Sequence, residues 1–130
     1  MWRTEADGSG LKKLLRLEGN TGIHTAWSPD GAWIVYARPS LDGPSGLGGS
    51  SLYAASADGR RSLHVTGGGS VGDEYPSWSP NGREIAFVRR PLSWHTPQPP
   101  RMSVIDVSEL FPDVVEAARP QAERGGVRRR

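Results

Sequence analysis

The residues of this chain that could contact a partner are charged and aromatic side chains in or beside segments with a loop-like composition. Guanidinium groups and carboxylates bind groups of opposite charge, and tryptophan and histidine offer flat surfaces for contact. The alternative for each position is an ordinary solvated loop residue, which is the commoner case for these residue types. We predict a partner-binding face at seven positions: Arg38, Asp73, Glu74, Arg89, Arg90, Trp94 and His95.

Motifs for catalysis and for cofactor binding are missing from the sequence. There is no G-x-S-x-G segment, and Ser28 and Ser79 each precede a proline, with no base placed beside them. The glycine-rich segments 43–51 and 67–69 lack the lysine and the strand-to-helix setting of a phosphate-binding loop. We therefore predict a protein that is not an enzyme and that binds no cofactor.

Metal binding is disfavoured by the residue types and by their spacing. The chain has no cysteine, so a thiolate site and a disulfide are both impossible. Its three histidines, His24, His64 and His95, do not approach ligand spacing with one another or with a pair of carboxylates. No metal site is predicted.

The elements that must position these residues come from an internal repeat. The segment AWSPDGAWIVY (residues 26–36) returns as SWSPNGREIAF (residues 77–87), 51 residues later. Residues 2–8 match residues 53–59 at the same offset, residues 12–19 match 60–67 at an offset of 48, and residues 52–56 have a weaker match in 102–106. The repeating unit is therefore about 51 residues long, with length changes confined to loops.

Each unit contains four short segments that are rich in β-branched and aromatic residues and are separated by turns. Ser-Pro-Asp-Gly and Ser-Pro-Asn-Gly favour a type I turn followed by a glycine with positive φ, so they join the first and second strands as hairpins. Trp27 and Trp78 precede these turns, and we expect them to pack between units rather than to bind a ligand. The predicted strands are residues 24–27 and 75–78 (first), 33–38 and 84–89 (second), 2–6, 52–56 and 101–107 (third), and 14–17 and 63–66 (fourth).

This repeat resembles that of TolB-type (WD-repeat-like) β-propellers, also found in the propeller domains of prolyl-oligopeptidase-type peptidases. The resemblance covers residues 2 to about 107 and implies an all-β fold, a partial β-propeller of about two four-stranded antiparallel blades. We expect residues 1–19 to end one blade, residues 20–67 to form a full blade and residues 68–107 to form an incomplete blade. Residues 108–130 are expected to form a short helix, within 108–118, and a basic disordered tail.

The number of strands raises the question of how a ring could close. Nine strands are predicted, whereas a propeller of at least four blades needs about sixteen. We expect the chain to be a fragment of a longer propeller protein. The alternative is self-association of several copies, in which the N-terminal strands of one copy complete the last blade of its neighbour.

The functional hypothesis that follows is a non-catalytic scaffold that binds a protein or peptide through its long-loop face. That face would collect the loops at residues 19–23, 38–50, 67–74 and 90–100. One alternative is a remnant of the propeller of a prolyl-oligopeptidase-type serine peptidase. Another is contact of nucleic acid with the arginine-rich tail.

Charge and hydropathy bound the remaining possibilities. Five arginines and one glutamate give residues 119–130 a charge of +4, so residues 1–118 carry −2 and the whole chain +2. This tail has no interleaved aromatic residues, which favours a solvated end over nucleic-acid binding. The longest apolar stretch, residues 32–37, is far shorter than the roughly 18 residues of a membrane span, and no signal peptide is evident. A cytoplasmic location is the default expectation, although TolB-like relatives are often periplasmic or secreted.

Overall fold

The computed structural model describes residues 1–16, 24–39, 49–67, 70–93 and 98–120. Within them the chain is mostly β-sheet, with nine strands and one short helix, as the sequence predicted. No helix in this described part is long and apolar enough to cross a membrane. The elements are β1 (Trp2–Arg3), β2 (Lys12–Lys13), β3 (Thr25–Trp27), β4 (Trp33–Pro39), β5 (Ser50–Ser56), β6 (Ser62–Thr66), β7 (Val71–Trp78), β8 (Glu84–Pro91), β9 (Arg101–Asp106) and α1 (Pro112–Ala118).

The strands form three successive antiparallel units. β1 and β2 pair as an N-terminal hairpin, β3 to β6 form a four-stranded meander that we call the first blade, and β7 to β9 form the second blade. A single parallel pairing, Ser50 with Gly72, joins the two blades at the start of β5 and the start of β7. In addition, β3 and β4 both contact β7, so the first strands of the two blades are neighbours. This is the arrangement of a partial β-propeller.

The main core lies between the two blades. Val35, Leu52 and Ala54 share one face of the first blade, and each has no exposed surface. They pack with Ile85 and Phe87 on the facing side of the second blade. A second cluster lies on the other face of the first blade, where the N-terminal hairpin covers it with Leu14 and Met1. The three units are therefore stacked face to face.

Helix α1 closes one end of the space between the blades. Phe111, which is 1% exposed, packs its ring edge-on against Trp33 and Trp78, with ring centroids 5.1 and 5.2 Å apart. The prediction that Trp78 packs between units is thus confirmed. The same prediction is wrong for Trp27, which is 45% exposed and does not belong to the core that Phe111, Trp33 and Trp78 share.

The turns have the predicted geometry. Gly31, Gly59 and Gly82 adopt φ of +71°, +76° and +72°, and their amides donate to the carbonyl oxygens of the serines three residues earlier. At Ser28 the hydroxyl donates to Asp30 Oδ1 at 2.6 Å and accepts from the Trp33 amide at 3.0 Å. Asp30 Oδ1 also accepts from the Ala32 amide at 3.0 Å, so side-chain as well as backbone hydrogen bonds hold this turn.

Most strand bounds differ from the prediction by one or two residues, and β1 ends at Arg3 where the prediction extends to residue 6. Two further differences are larger. Of the predicted fourth strand of the first unit, residues 14–16 are not in a strand and residue 17 lies outside the described residues; the fourth strand is β2. It pairs Lys13 with Trp2 as His64 pairs with Tyr53, which gives an offset of 51 and not 48. Leu14 is apolar because it packs against the first blade directly after β2 ends, where it is 7% exposed.

The second difference concerns the predicted long loops. β7 begins at Val71, inside the loop predicted for residues 67–74, and β8 continues to Pro91 in register with it. Glycines at residues 67–69 and 72 hid this extension, because glycine is disfavoured in strands by propensity alone. Cross-strand pairing and the ion pair described below stabilise the extra ladder.

Candidate functional site

Asp73 is the most buried of the predicted site residues. It lies in β7 with no exposed surface, directly opposite Arg89 of β8. Arg89 donates from Nε and Nη2 to the two carboxylate oxygens of Asp73, each at 2.8 Å. These side-chain hydrogen bonds raise the pKa of the Arg89 guanidinium above its usual value. The pair is a bidentate, charge-assisted contact.

Asp73 also connects the second blade to the first. Its carboxylate accepts a hydrogen bond from the Thr66 hydroxyl, at the end of β6, at 2.7 Å. Its backbone carbonyl accepts a second one from the Ser50 hydroxyl, at the start of β5, at 3.0 Å. We call Ser50, Thr66, Asp73 and Arg89 the inter-blade clamp. Because the buried Asp73 carboxylate accepts three hydrogen bonds from within the chain, one of them from the other blade, its place in the fold is a contact between blades.

The other described candidates are accessible. Arg38 lies exposed near the end of β4, with its guanidinium carbon 5.3 Å from the centroid of the Tyr53 ring. Glu74 and Arg90 form an ion pair at 3.5 Å, with side chains 28% and 49% exposed. The structure thus brings Asp73 together with Arg89 and Glu74 with Arg90, all within strands. Trp94 and His95 lie outside the described residues, as do residues 121–130 of the basic tail.

A pair that sequence reasoning missed lies where the first strands of the two blades meet. The ring of Tyr75 in β7 packs against that of His24, just before β3, with centroids 3.8 Å apart and planes inclined by 40°. Tyr75 is 52% exposed, and its φ of +57° makes it the one non-glycine residue of the described chain in the left-handed region. His24 is half-buried and fixed through its carbonyl oxygen, which accepts from the Ala37 amide at 3.2 Å.

Pro76 is the sequence signal that could have revealed this feature. Proline cannot donate to a strand ladder, so it marks an edge or a bulge when it occurs inside a strand. The pairing of β7 with β8 is indeed interrupted between Glu74 and Ser77. The bulge turns the Tyr75 ring out of the regular alternation of the strand.

Tyr75 and the accessible charged candidates lie in β7 and in two strands that contact it, β4 and β8. Tyr75 offers an open ring face and a phenol hydroxyl, and charged groups of both signs lie in the neighbouring strand segments at Arg38, Glu74 and Arg90. Among the described residues there is no cluster of histidine, aspartate and glutamate side chains that could hold a metal ion.

Comparisons with known proteins identify the fold. No family model matches the sequence, and no curated protein matches it. A solved structure described as a "putative TolB" from Agrobacterium tumefaciens is similar, with a TM-score of 0.63 and 24% sequence identity. The match covers 81% of this chain and 36% of that chain, so this chain spans little more than a third of the solved one. This likeness confirms the predicted partial β-propeller fold.

Proposed function

We propose that this chain is a non-catalytic propeller-type scaffold that binds a protein or peptide partner where the first strands of its two blades meet. Tyr75 and His24 form the centre of the site, and Arg38, Glu74 and Arg90 supply charge around it. The observation that carries the proposal is that Tyr75 is exposed and has a left-handed backbone conformation. The inter-blade clamp supports the scaffold beneath it.

The backbone at Tyr75 is the first argument. A non-glycine residue in the left-handed region costs about 1 to 3 kcal/mol and persists where its surroundings fix it, often at a binding site. Tyr75 keeps this conformation in a bulge with half of its surface exposed, so its ring contributes little burial in return. Contact with a partner would bury the part of the Tyr75 ring that is exposed in the isolated chain.

The chemical character of the surroundings is the second argument. Tyrosine is enriched at binding hot spots because it combines a large apolar area with a hydroxyl and few rotatable bonds. Arg90 is bound to Glu74 at 3.5 Å, at the long end of the range for an ion pair, and both side chains remain accessible. A carboxylate of a partner can therefore bind Arg90 or Arg38 while an apolar partner side chain packs on Tyr75.

The test is selection of a random-peptide phage library on the immobilised chain, followed by fluorescence polarisation with the selected peptides. Tyr75→Gly removes the ring but suits the left-handed backbone, so we expect this variant to fold at least as stably as the wild type. Its affinity for the selected peptides should fall by about 30-fold or more, the size of a hot-spot loss. Leu110→Ala is a matched control, since Leu110 is also an exposed apolar residue, at 42%, but lies near α1. Peptides that bind Tyr75→Gly as tightly as the wild type would contradict the proposal.

The origin of the chain stays a prediction, together with the alternative of a prolyl-oligopeptidase-type remnant. Sequencing the DNA on both sides of the reading frame separates the two. Further propeller repeats without another domain favour the scaffold, whereas repeats that continue into an α/β-hydrolase domain with a G-x-S-x-G segment favour the remnant.

A further inference from the structure

Among the described residues, the second blade has an exposed apolar surface on the side away from the first blade. Met102 and Val104 of β9 are 74% and 60% exposed. Ala86 and Val88 of β8 lie opposite Val104 and Met102 in the register and are half-buried on the same face. We call these four residues the trailing face, because they lie on the side of the second blade away from the first.

The trailing face has a buried counterpart in the first blade. Val35, Ala37, Leu52 and Ala54 occupy the same four positions in the first blade, each at most 5% exposed. The second blade covers them with Ile85 and Phe87. The trailing face is therefore the next copy of an interface that the chain already makes once.

The opposite end of the stack carries the other half of this interface. Trp2 matches Tyr53 in the pairing pattern, and Tyr53 lies on the face of the first blade that packs against the preceding unit. Trp2 is 61% exposed and Leu11 is 68% exposed. Lys13 lies opposite Trp2, with its ammonium 5.9 Å from the centroid of the indole ring. We call Trp2, Leu11 and Lys13 the leading face.

The two faces are complementary in charge as well as in repeat position. Lys13 is exposed on the leading face. Glu84 and Asp106 are exposed and lie opposite each other in the pairing of β8 with β9. They lie two residues along the strands from the pair Ala86 and Val104, so their side chains lie on the same side of the sheet as the trailing face. Opposite charges at the edges of an apolar contact set its register and orientation.

We infer that the partner of the trailing face is the leading face of a second copy of this chain, docked head to tail. The contact is heterologous, because different surfaces of the two copies meet, so it can propagate into a ring or a filament. It uses surfaces other than the Tyr75 site and does not depend on the proposed function.

The experiment is sedimentation velocity of the full chain from about 1 µM to about 1 mM, a range that spans moderate to weak dissociation constants. The wild-type protein should associate as its concentration rises. Val104→Lys places an unpaired charge in the trailing face, and Trp2→Ala removes the anchor of the leading face. Each should weaken association by at least about tenfold, and both residues are exposed enough to be replaced without loss of the fold.

Mixing the two variants distinguishes a head-to-tail contact from a symmetric one. Val104→Lys keeps an intact leading face and Trp2→Ala keeps an intact trailing face, so an equimolar mixture should form a heterodimer that does not grow further. Tyr75→Gly is the control, because it should associate like the wild type while losing the selected peptides. A wild-type chain that stays monomeric throughout, variants that still associate, or a mixture that stays monomeric would each overturn the inference.

Discussion

Replacing Arg89 with methionine would remove the charged partner of a carboxylate that has no exposed surface. Breaking a buried ion pair by removing one partner costs about 3 to 5 kcal/mol, because the other charge is left uncompensated. The Arg89 side chain is 40% exposed, so solvent screens part of the interaction and we expect about 2 to 3 kcal/mol. A domain of this kind has a total stability of roughly 5 to 15 kcal/mol, so the loss is easily measured.

A double-mutant cycle gives this prediction its sharpest form. Asp73→Asn alone should destabilise by about 2 kcal/mol, since the amide cannot accept both guanidinium bonds. In the Arg89→Met background the same substitution should stabilise, because it removes a buried charge without a partner. Urea unfolding followed by tryptophan fluorescence measures each free energy, and buried Trp33 provides an interior probe. An Asp73→Asn cost that is the same in both backgrounds would refute the inter-blade clamp as described.

Two further predictions concern the turns. Gly82→Ala should cost more than the roughly 1 kcal/mol of backbone strain expected at positive φ, because the new Cβ would lie 2.7 Å from Val114 Cγ1. Gly8→Ala, with similar φ and no atom within 4 Å, should cost the strain alone, and equal losses in thermal unfolding would contradict the α1 contact. The second prediction is a pKa of Asp58 below its usual value, because the Ser56 hydroxyl and then the Arg60 amide donate to the carboxylate. Because the pKa of Asp58 is lower in the folded than in the unfolded state, its carboxylate stabilises the folded protein at pH values above the unfolded-state pKa. This stabilisation is lost as the pH falls through the folded-state pKa. Ser56→Ala should raise the Asp58 midpoint in an NMR titration, and an unchanged midpoint would reject the hydrogen bond as its main cause.

The parts of the fold that could be predicted are those encoded by local chemistry. The Ser-Pro-Asp-Gly turns specify their own hydrogen bonds and the positive φ of Gly31, and the strands on either side follow from β-branched and aromatic residues. The repeat then fixes the order of the blades. The start of β7 could not be predicted, because Val71 to Asp73 are held in the ladder by residues of β8 about 16 to 20 positions away.

The candidate site was harder to predict for the same reason. The sequence does not show whether a charged side chain is buried. Asp73 and Arg38 are therefore equivalent candidates in the sequence, although Asp73 is fully buried and Arg38 is exposed. Tyr75 is part of a predicted strand, and only Pro76 next to it signals the bulge that exposes its ring. Binding by Arg38, Glu74 and Arg90 stays a prediction, and the same holds for Trp94 and His95.

The contact between Tyr75 and His24 ties the proposed site to the interface between blades. His24 belongs to the first blade and Tyr75 to the second, so the distance between their rings depends on how the blades are packed. The inter-blade clamp fixes the start of β7 against β5 and β6, and Phe111, the residue before α1, packs against Trp78 at the end of β7. Tyr75 therefore lies in a bulge between two anchored points of one strand. A site of this kind is preorganised by the scaffold, and preorganisation lowers the entropic cost of binding a flexible partner.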